Sequence, residues 1–92
     1  MKNIVTIKEI KKELEKLEKL EKIADSADLA YDAEPMNPEK EKAFDEAYKA
    51  QYESFMRVSA AIAELSENKI NIATARSIVS GKREKLKAIL KF

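Results

Sequence analysis

Carboxylates at helical spacing in the first third of the chain are the residues best suited to chemistry. Glu18, Glu21, Asp25, Asp28 and Asp32 follow one another at intervals of three and four residues, which places them on neighbouring positions of one helix. Such a cluster could bind a divalent cation. Helical di-iron proteins, however, combine their glutamates with a Glu-Xaa-Xaa-His pair, and this chain contains no His. We therefore expect no metal site.

The composition excludes most catalytic chemistry. The 92 residues contain no Cys and no His, which removes the thiolate nucleophile, the disulfide and the imidazole base. The single Gly cannot build a glycine loop for phosphate. A chain of 10.5 kDa has room for one modest core. We expect a single domain over residues 1–92 that is not an enzyme and takes no cofactor.

Charge is strongly polarised along the chain although the net charge is only +1. Residues 1–24 carry +2, residues 25–68 carry −7 and residues 69–92 carry +6. The basic C-terminal surface comprises Arg76, Lys82, Arg83, Lys85, Lys87 and Lys91. Two interpretations are open: the basic segment lies along acidic flanks of the preceding helices, or it holds the phosphates of a nucleic acid.

The acidic middle of the chain is the second candidate surface. This acidic tip comprises Asp25, Asp28, Asp32, Glu34, Glu39, Glu41, Asp45 and Glu46. The helix dipole disfavours carboxylates in the last turns of a helix, where Asp28 and Asp32 fall, so their presence favours a binding role. A protein partner with a basic groove is the functional interpretation, and a solvated helix end is the alternative.

The elements that carry these residues are predicted from caps and apolar periodicity. Thr6 and Glu9 fit a capping box, and an apolar stripe interrupted at Glu21 predicts a first helix over residues 7–33. Pro35 disfavours a helical conformation for the residue before it, which ends that helix.

Two further helices follow. Asn37 as N-cap and Pro38 as the first helical residue start a second helix, predicted over residues 38–67, with Asn68 as a left-handed terminating residue. Its seam steps by four and three residues through Phe44, Tyr48, Gln51, Phe55, Val58, Ile62 and Leu65. Asn71 caps a third helix, predicted over residues 72–91. Gly81 either ends a short helix there or lies inside one bent helix, and the unbroken apolar spacing favours the single helix.

The predicted fold is an all-α three-helix bundle: a long antiparallel hairpin with a shorter third helix packed along it. A homodimer is the alternative architecture, because the middle of the second helix carries more bulky side chains than one short helix covers. The residues predicted to self-associate are Tyr48, Gln51, Tyr52, Phe55 and Met56.

These features predict a non-enzymatic helical protein that binds another macromolecule, as an adaptor, an inhibitor or an accessory subunit. The alternative is a small nucleic-acid-associated regulator that uses the basic C-terminal helix. Charged residues begin at Lys2, so no apolar signal segment is expected, and no apolar run approaches a membrane span. We expect a cytoplasmic location and no membrane partner.

Overall fold

The structure of the protein, a computed structural model, describes residues 6–67 and 69–90. Its helices are α1 (Ile7–Ala33), α2 (Pro38–Leu65), α3 (Ile72–Gly81) and α4 (Arg83–Leu90), and the described residues contain no strand. The predicted all-α class is confirmed. The longest dimension of 46 Å reflects the two long helices, each about 40 Å at ~1.5 Å per residue.

The first helix has the predicted start and end. At its N-terminus Glu9 donates its backbone N–H to the Thr6 hydroxyl at 3.1 Å, and Thr6 donates its backbone N–H to the Glu9 carboxylate at 3.2 Å. This capping box satisfies donors that the first turn leaves without intrahelical partners. The helix ends at Ala33, as predicted.

Asparagines cap the next two helices. The Asn37 side-chain oxygen accepts the backbone N–H of Glu39 at 2.9 Å, with Pro38 in the first helical position. The Asn71 side-chain oxygen accepts the backbone N–H of Thr74 at 2.8 Å. Both predicted helix starts are confirmed. They could be predicted because an N-cap hydrogen bond joins groups that are no more than three residues apart.

The second helix ends at Leu65, two residues before the predicted end. The Ser66 hydroxyl donates to a carbonyl of the last turn at 2.7 Å and accepts the backbone N–H of Ile70 at 3.1 Å. Glu67 adopts a positive φ of 58°, the left-handed conformation that turns the chain. The predicted terminating residue, Asn68, lies outside the described residues.

The prediction of one third helix over residues 72–91 is wrong, because α3 and α4 are separated at Lys82. This residue has φ −131° and ψ 42°, which is not helical, and its N–H donates to the Ile78 carbonyl at 2.9 Å. Its own carbonyl accepts the N–H of Leu86 at 3.0 Å. Lys82 is therefore the C-cap of α3 and directly precedes α4, and Gly81 is the last residue of α3. The apolar spacing continues across the break and so could not reveal it.

The core lies in one half of the hairpin and combines all four helices. Leu86 and Leu90 of α4 belong to the same buried cluster as the leucines of α1, so α4 completes the core. The buried residues of this cluster are Ile10, Leu14, Leu17, Val58, Ile62, Ala75, Val79, Leu86 and Leu90.

The other half of the hairpin, residues 22–50, is called the arm here. The core cluster has no member between residues 18 and 57. The arm is described throughout, and only Ala24 in it is buried. The helices that cover the core half have 10 and 8 residues, about 15 and 12 Å at ~1.5 Å per residue, which is too short to reach along the hairpin. Within the described residues, the predicted packing of a third helix along the hairpin is thus limited to its core half.

Candidate interaction site

An aromatic row runs from the core half onto the arm. Tyr31 of α1 stacks on Phe44 of α2, with ring centroids 5.7 Å apart, and Phe44 contacts Tyr48 at 6.1 Å. Closer to the core, Tyr52 contacts Phe55 at 6.4 Å. The α2 members are three or four residues apart and so share a helix face. Tyr48 is 54% exposed and Tyr52 is 46% exposed, so the row continues the core surface into solvent.

A groove of about 300 Å³ lies where the arm meets the core half. It contains four of the five residues predicted to self-associate, whereas the fifth, Met56, is half-buried and does not line it. Residues of α1, α3 and α4 complete the walls. The lining residues are Glu21, Tyr48, Gln51, Tyr52, Phe55, Ser80 and Arg83.

Ion pairs fix the wall of the groove that α4 supplies. Arg83 donates from Nη1 and Nη2 to the two carboxylate oxygens of Glu21, each at 2.9 Å, and from Nη1 to Glu18 at 3.3 Å. Its Nε donates to the carbonyl of Val79 at 2.8 Å. Lys87 places its Nζ 2.9 Å from Glu18. These contacts hold α4 on α1.

The same contacts shift the pKa values of Glu18 and Arg83. Burial raises the pKa of Glu18, but hydrogen bonds from Lys87 and Arg83 outweigh it and bring that pKa below its ordinary value. Hydrogen bonding to Glu21 raises the pKa of Arg83. Glu18 and Arg83 are therefore charged at neutral pH.

The basic C-terminal surface is divided by this arrangement. Arg83 and Lys87 bind carboxylates of α1, which is the internal pairing that one interpretation predicted. The side chains of Arg76, Lys82 and Lys85 are exposed. The last member of the predicted set, Lys91, lies outside the described residues.

The residues of the acidic tip are all exposed, and they lie on both helices of the arm and in the turn between them. Glu34 accepts a hydrogen bond from the Asn37 amide at 3.0 Å and lies 3.7 Å from Lys40 Nζ. The Asn37 hydrogen bond, with the charge of Lys40, lowers the pKa of Glu34. Among the described residues it is the only member of the tip that forms an ion pair. The tip therefore presents carboxylates to solvent.

Part of the acidic tip continues the stripe that α4 uses. Beyond Glu18 and Glu21, the steps of four, three and four residues to Asp25, Asp28 and Asp32 keep to the same side of α1. The first two carboxylates bind cations of α4, whereas the three aspartates lie beyond the N-terminal end of that helix. In this stripe, Glu18 and Glu21 are thus paired with cations of α4, whereas the three aspartates are exposed.

Two polar contacts were not predictable from apolar spacing. Glu21 is half-buried where the stripe required an apolar residue, and that interruption was the only signal of its pairing with Arg83. Ser54 lies outside the predicted seam, yet it is fully buried and donates to Glu13 on α1 at 2.7 Å. Arg57 donates to the same Glu13 oxygen at 3.3 Å. Together they join α1 to α2.

Two kinds of site are absent from the described residues. Within residues 6–67 and 69–90, no three His, Cys, Asp or Glu side chains are grouped so as to hold a metal ion. None of the helices in this described part combines the length and the apolar character needed to cross a bilayer.

Comparison with known proteins gave no match: no family model fits the chain, and no curated protein or solved structure is significantly similar to it.

Proposed function

We propose that the chain is a non-catalytic binding protein, an adaptor, inhibitor or accessory subunit, whose arm docks a protein partner. The observation that carries this proposal is the aromatic row, which leaves the core at Phe55 and continues through half-exposed Tyr52 and Tyr48. Tyr combines a large apolar ring with a polar hydroxyl and is enriched at the centres of protein interfaces. A row of such rings beside a groove is a surface suited to a partner.

The arm is also ordered for binding. Its two helices are joined by a turn whose N-cap, Asn37, is hydrogen-bonded to the following turn and to Glu34. The stacked pair Tyr31 and Phe44 links the helices near that end. A preformed surface loses less conformational entropy on association than a disordered one, so modest contacts give useful affinity.

The nucleic-acid alternative has less support. Arg83 and Lys87 bind glutamates rather than solvent, which leaves Arg76, Lys82 and Lys85 as the exposed members of the predicted set among the described residues. Fewer phosphate contacts give weaker and less salt-dependent binding. Elution from heparin below physiological salt is the result expected for a protein-binding role.

The test is affinity capture from the source organism with three immobilised forms of the full chain. The wild type is compared with the double variant Tyr48→Ser, Tyr52→Ser. The matched control, Ile72→Ser with Ile89→Ser, removes two comparably exposed apolar side chains outside the arm. We expect one set of proteins to be retained by the wild type and the control and lost from the tyrosine variant.

Circular dichroism of each form verifies that the helices are intact. Identical captured sets for the wild type and the tyrosine variant would contradict the proposal.

A further inference from the structure

The fourth helix shows what kind of helix the acidic stripe of α1 accepts. In α4, Leu86 and Leu90 are buried in the core, and Arg83 binds Glu21. Lys87, four residues after Arg83, binds Glu18. The helix α4 is therefore a short basic amphipathic helix with cations four residues apart and leucines between and after them. It is seated on carboxylates of α1 beside an apolar surface.

The same seat continues along the arm. Asp25, Asp28 and Asp32 extend the carboxylate stripe over about 10 Å of α1 at ~1.5 Å per residue. All three are exposed. Across the hairpin, Tyr48 and Phe44 extend the apolar surface of the core. The acidic stripe and the apolar row thus both continue beyond the N-terminal end of α4.

We propose that the partner docked by the arm presents a basic amphipathic helix, which lies on this face as a continuation of α4. The inference rests on the proposed function and adds the chemistry of the partner. Its cations pair with Asp25, Asp28 and Asp32, and its apolar side chains lie against Tyr48 and Tyr52. The groove at the junction, bounded by Arg83 and the tyrosines, receives the first of those apolar side chains.

Charge favours this occupant over a second copy of the chain. The arm contains eight acidic residues against four lysines, a net charge of −4. A two-fold symmetric pairing of arms brings together two copies of the same negatively charged patch, because an isologous interface uses one patch twice. Like charges across an interface oppose association, whereas a basic helix neutralises the arm.

The probe is a synthetic helical peptide of about 18 residues that repeats the α4 pattern, with Lys at positions i and i+4 and Leu at i+3 and i+7. A scrambled peptide of the same composition has no amphipathic face. Binding to the full chain is followed by fluorescence anisotropy at low and high salt, and the site is located by amide chemical shifts. We expect shifts along the arm and the groove, and binding at least tenfold tighter than for the scrambled peptide. Affinity falls with salt because charged contacts are screened.

Two charge-matched variants locate the contact. Asp25→Asn, Asp28→Asn, Asp32→Asn removes three carboxylates from the proposed seat, and we expect it to weaken binding about tenfold. The control variant removes three exposed carboxylates that lie outside the acidic tip: Glu53→Gln, Glu64→Gln and Glu67→Gln. It is expected to bind the peptide with less than a threefold change.

Three results would overturn the inference. The first is equal affinity for the amphipathic and scrambled peptides, or equal loss in the two triple variants. The second is a sedimentation mass of a dimer that Tyr48→Ser returns to 10.5 kDa, since a second copy then occupies the face. The third is binding of the arm to an acidic amphipathic peptide or an oligonucleotide instead. In that case the arm still binds a partner but its chemistry is different, so failure here is distinct from failure of the capture experiment.

Discussion

Arg83 of α4 donates two parallel hydrogen bonds to the carboxylate of Glu21 on α1, each 2.9 Å long. Planar, two-fold pairing of this kind is stronger and more directional than a single contact between charges. The pair lies at the first residue of α4 and in the wall of the groove. This pair fixes the position on α1 at which α4 begins. It therefore sets the point beyond which α4 no longer covers the hairpin.

Arg83→Lys is expected to lower the free energy of unfolding by roughly 1 kcal/mol, because a lysine cannot make the two-fold pair and the desolvated carboxylates lose a partner. The measurement is urea denaturation followed by circular dichroism. Arg76→Lys makes the same change at an exposed position and serves as control. Equal effects of the two substitutions would show that the pairing adds nothing to stability.

Stability is expected to fall at acid pH through Glu18. Its folded-state pKa lies below the ordinary value of 4.5, so ionised Glu18 stabilises the fold above about that pH. The contribution disappears as pH falls from there through the lower folded-state value. Thermal unfolding from pH 6 to about pH 3 should show a smaller decline for Glu18→Gln than for the wild type. Glu64→Gln is the matched control, and an unchanged profile for Glu18→Gln would refute the expectation.

Substitution of a leucine in α1 is expected to reduce stability far more in the core half of the hairpin than on the arm. Leu14 is fully buried in the core, and Leu14→Ala is expected to destabilise the protein by about 2–5 kcal/mol through lost burial and a cavity. Leu29 is 71% exposed on the arm, and Leu29→Ala should change stability by less than ~0.5 kcal/mol. Equilibrium denaturation of both variants measures the difference. Similar losses would mean that the arm is packed in solution.

Gly81→Ala is expected to stabilise the protein by about 0.4–1 kcal/mol. The residue is helical, its φ is not positive, and an added Cβ meets no atom within 4 Å. Alanine then lowers the entropy of the unfolded chain without strain in the folded one. Thermal denaturation gives the sign, with Ser80→Ala as the neighbouring control. Destabilisation by Gly81→Ala alone would show that the break at Lys82 requires glycine.

The aspartates proposed to bind a partner are expected to destabilise the C-terminal end of α1. Asp28→Asn and Asp32→Asn remove carboxylates from the last turns, where the helix dipole is unfavourable to them, by ~0.3–1 kcal/mol each. Denaturation should therefore show both variants to be more stable than the wild type. Unchanged or reduced stability would remove the reason for treating these aspartates as binding residues.

Local chemistry made most helix starts predictable. The Thr6 box, the Asn37 cap and the Asn71 cap each depend on side chains and backbone groups within a few residues, so the sequence contains all of the interacting parts. The helical class and the hairpin follow from apolar spacing in the same way. The end of α2 was misplaced by two residues because Ser66 competes with the helix for backbone groups.

The candidate site was predicted only in part. Tyr48, Gln51, Tyr52 and Phe55 were predicted as part of a self-association surface, and in the structure they line a groove that residues of three other helices complete. Spacing cannot show that Ser80 and Arg83 reach them, because contacts between distant segments depend on how helices pack. Self-association through these residues stays a prediction.

The sequence by itself determined which segments are helical, where the caps lie and how charge is distributed, since each depends on near neighbours or on composition. Only the tertiary structure decided that the helix is interrupted at Lys82 and that Arg83 is bound to Glu21. It also decided that α3 and α4 cover the core half of the hairpin and not the arm. The physical reason is that apolar periodicity defines a helix face but not what packs on it. The length and placement of α3 and α4 set that limit, and with it the exposure of Tyr48 and of the aspartates of α1.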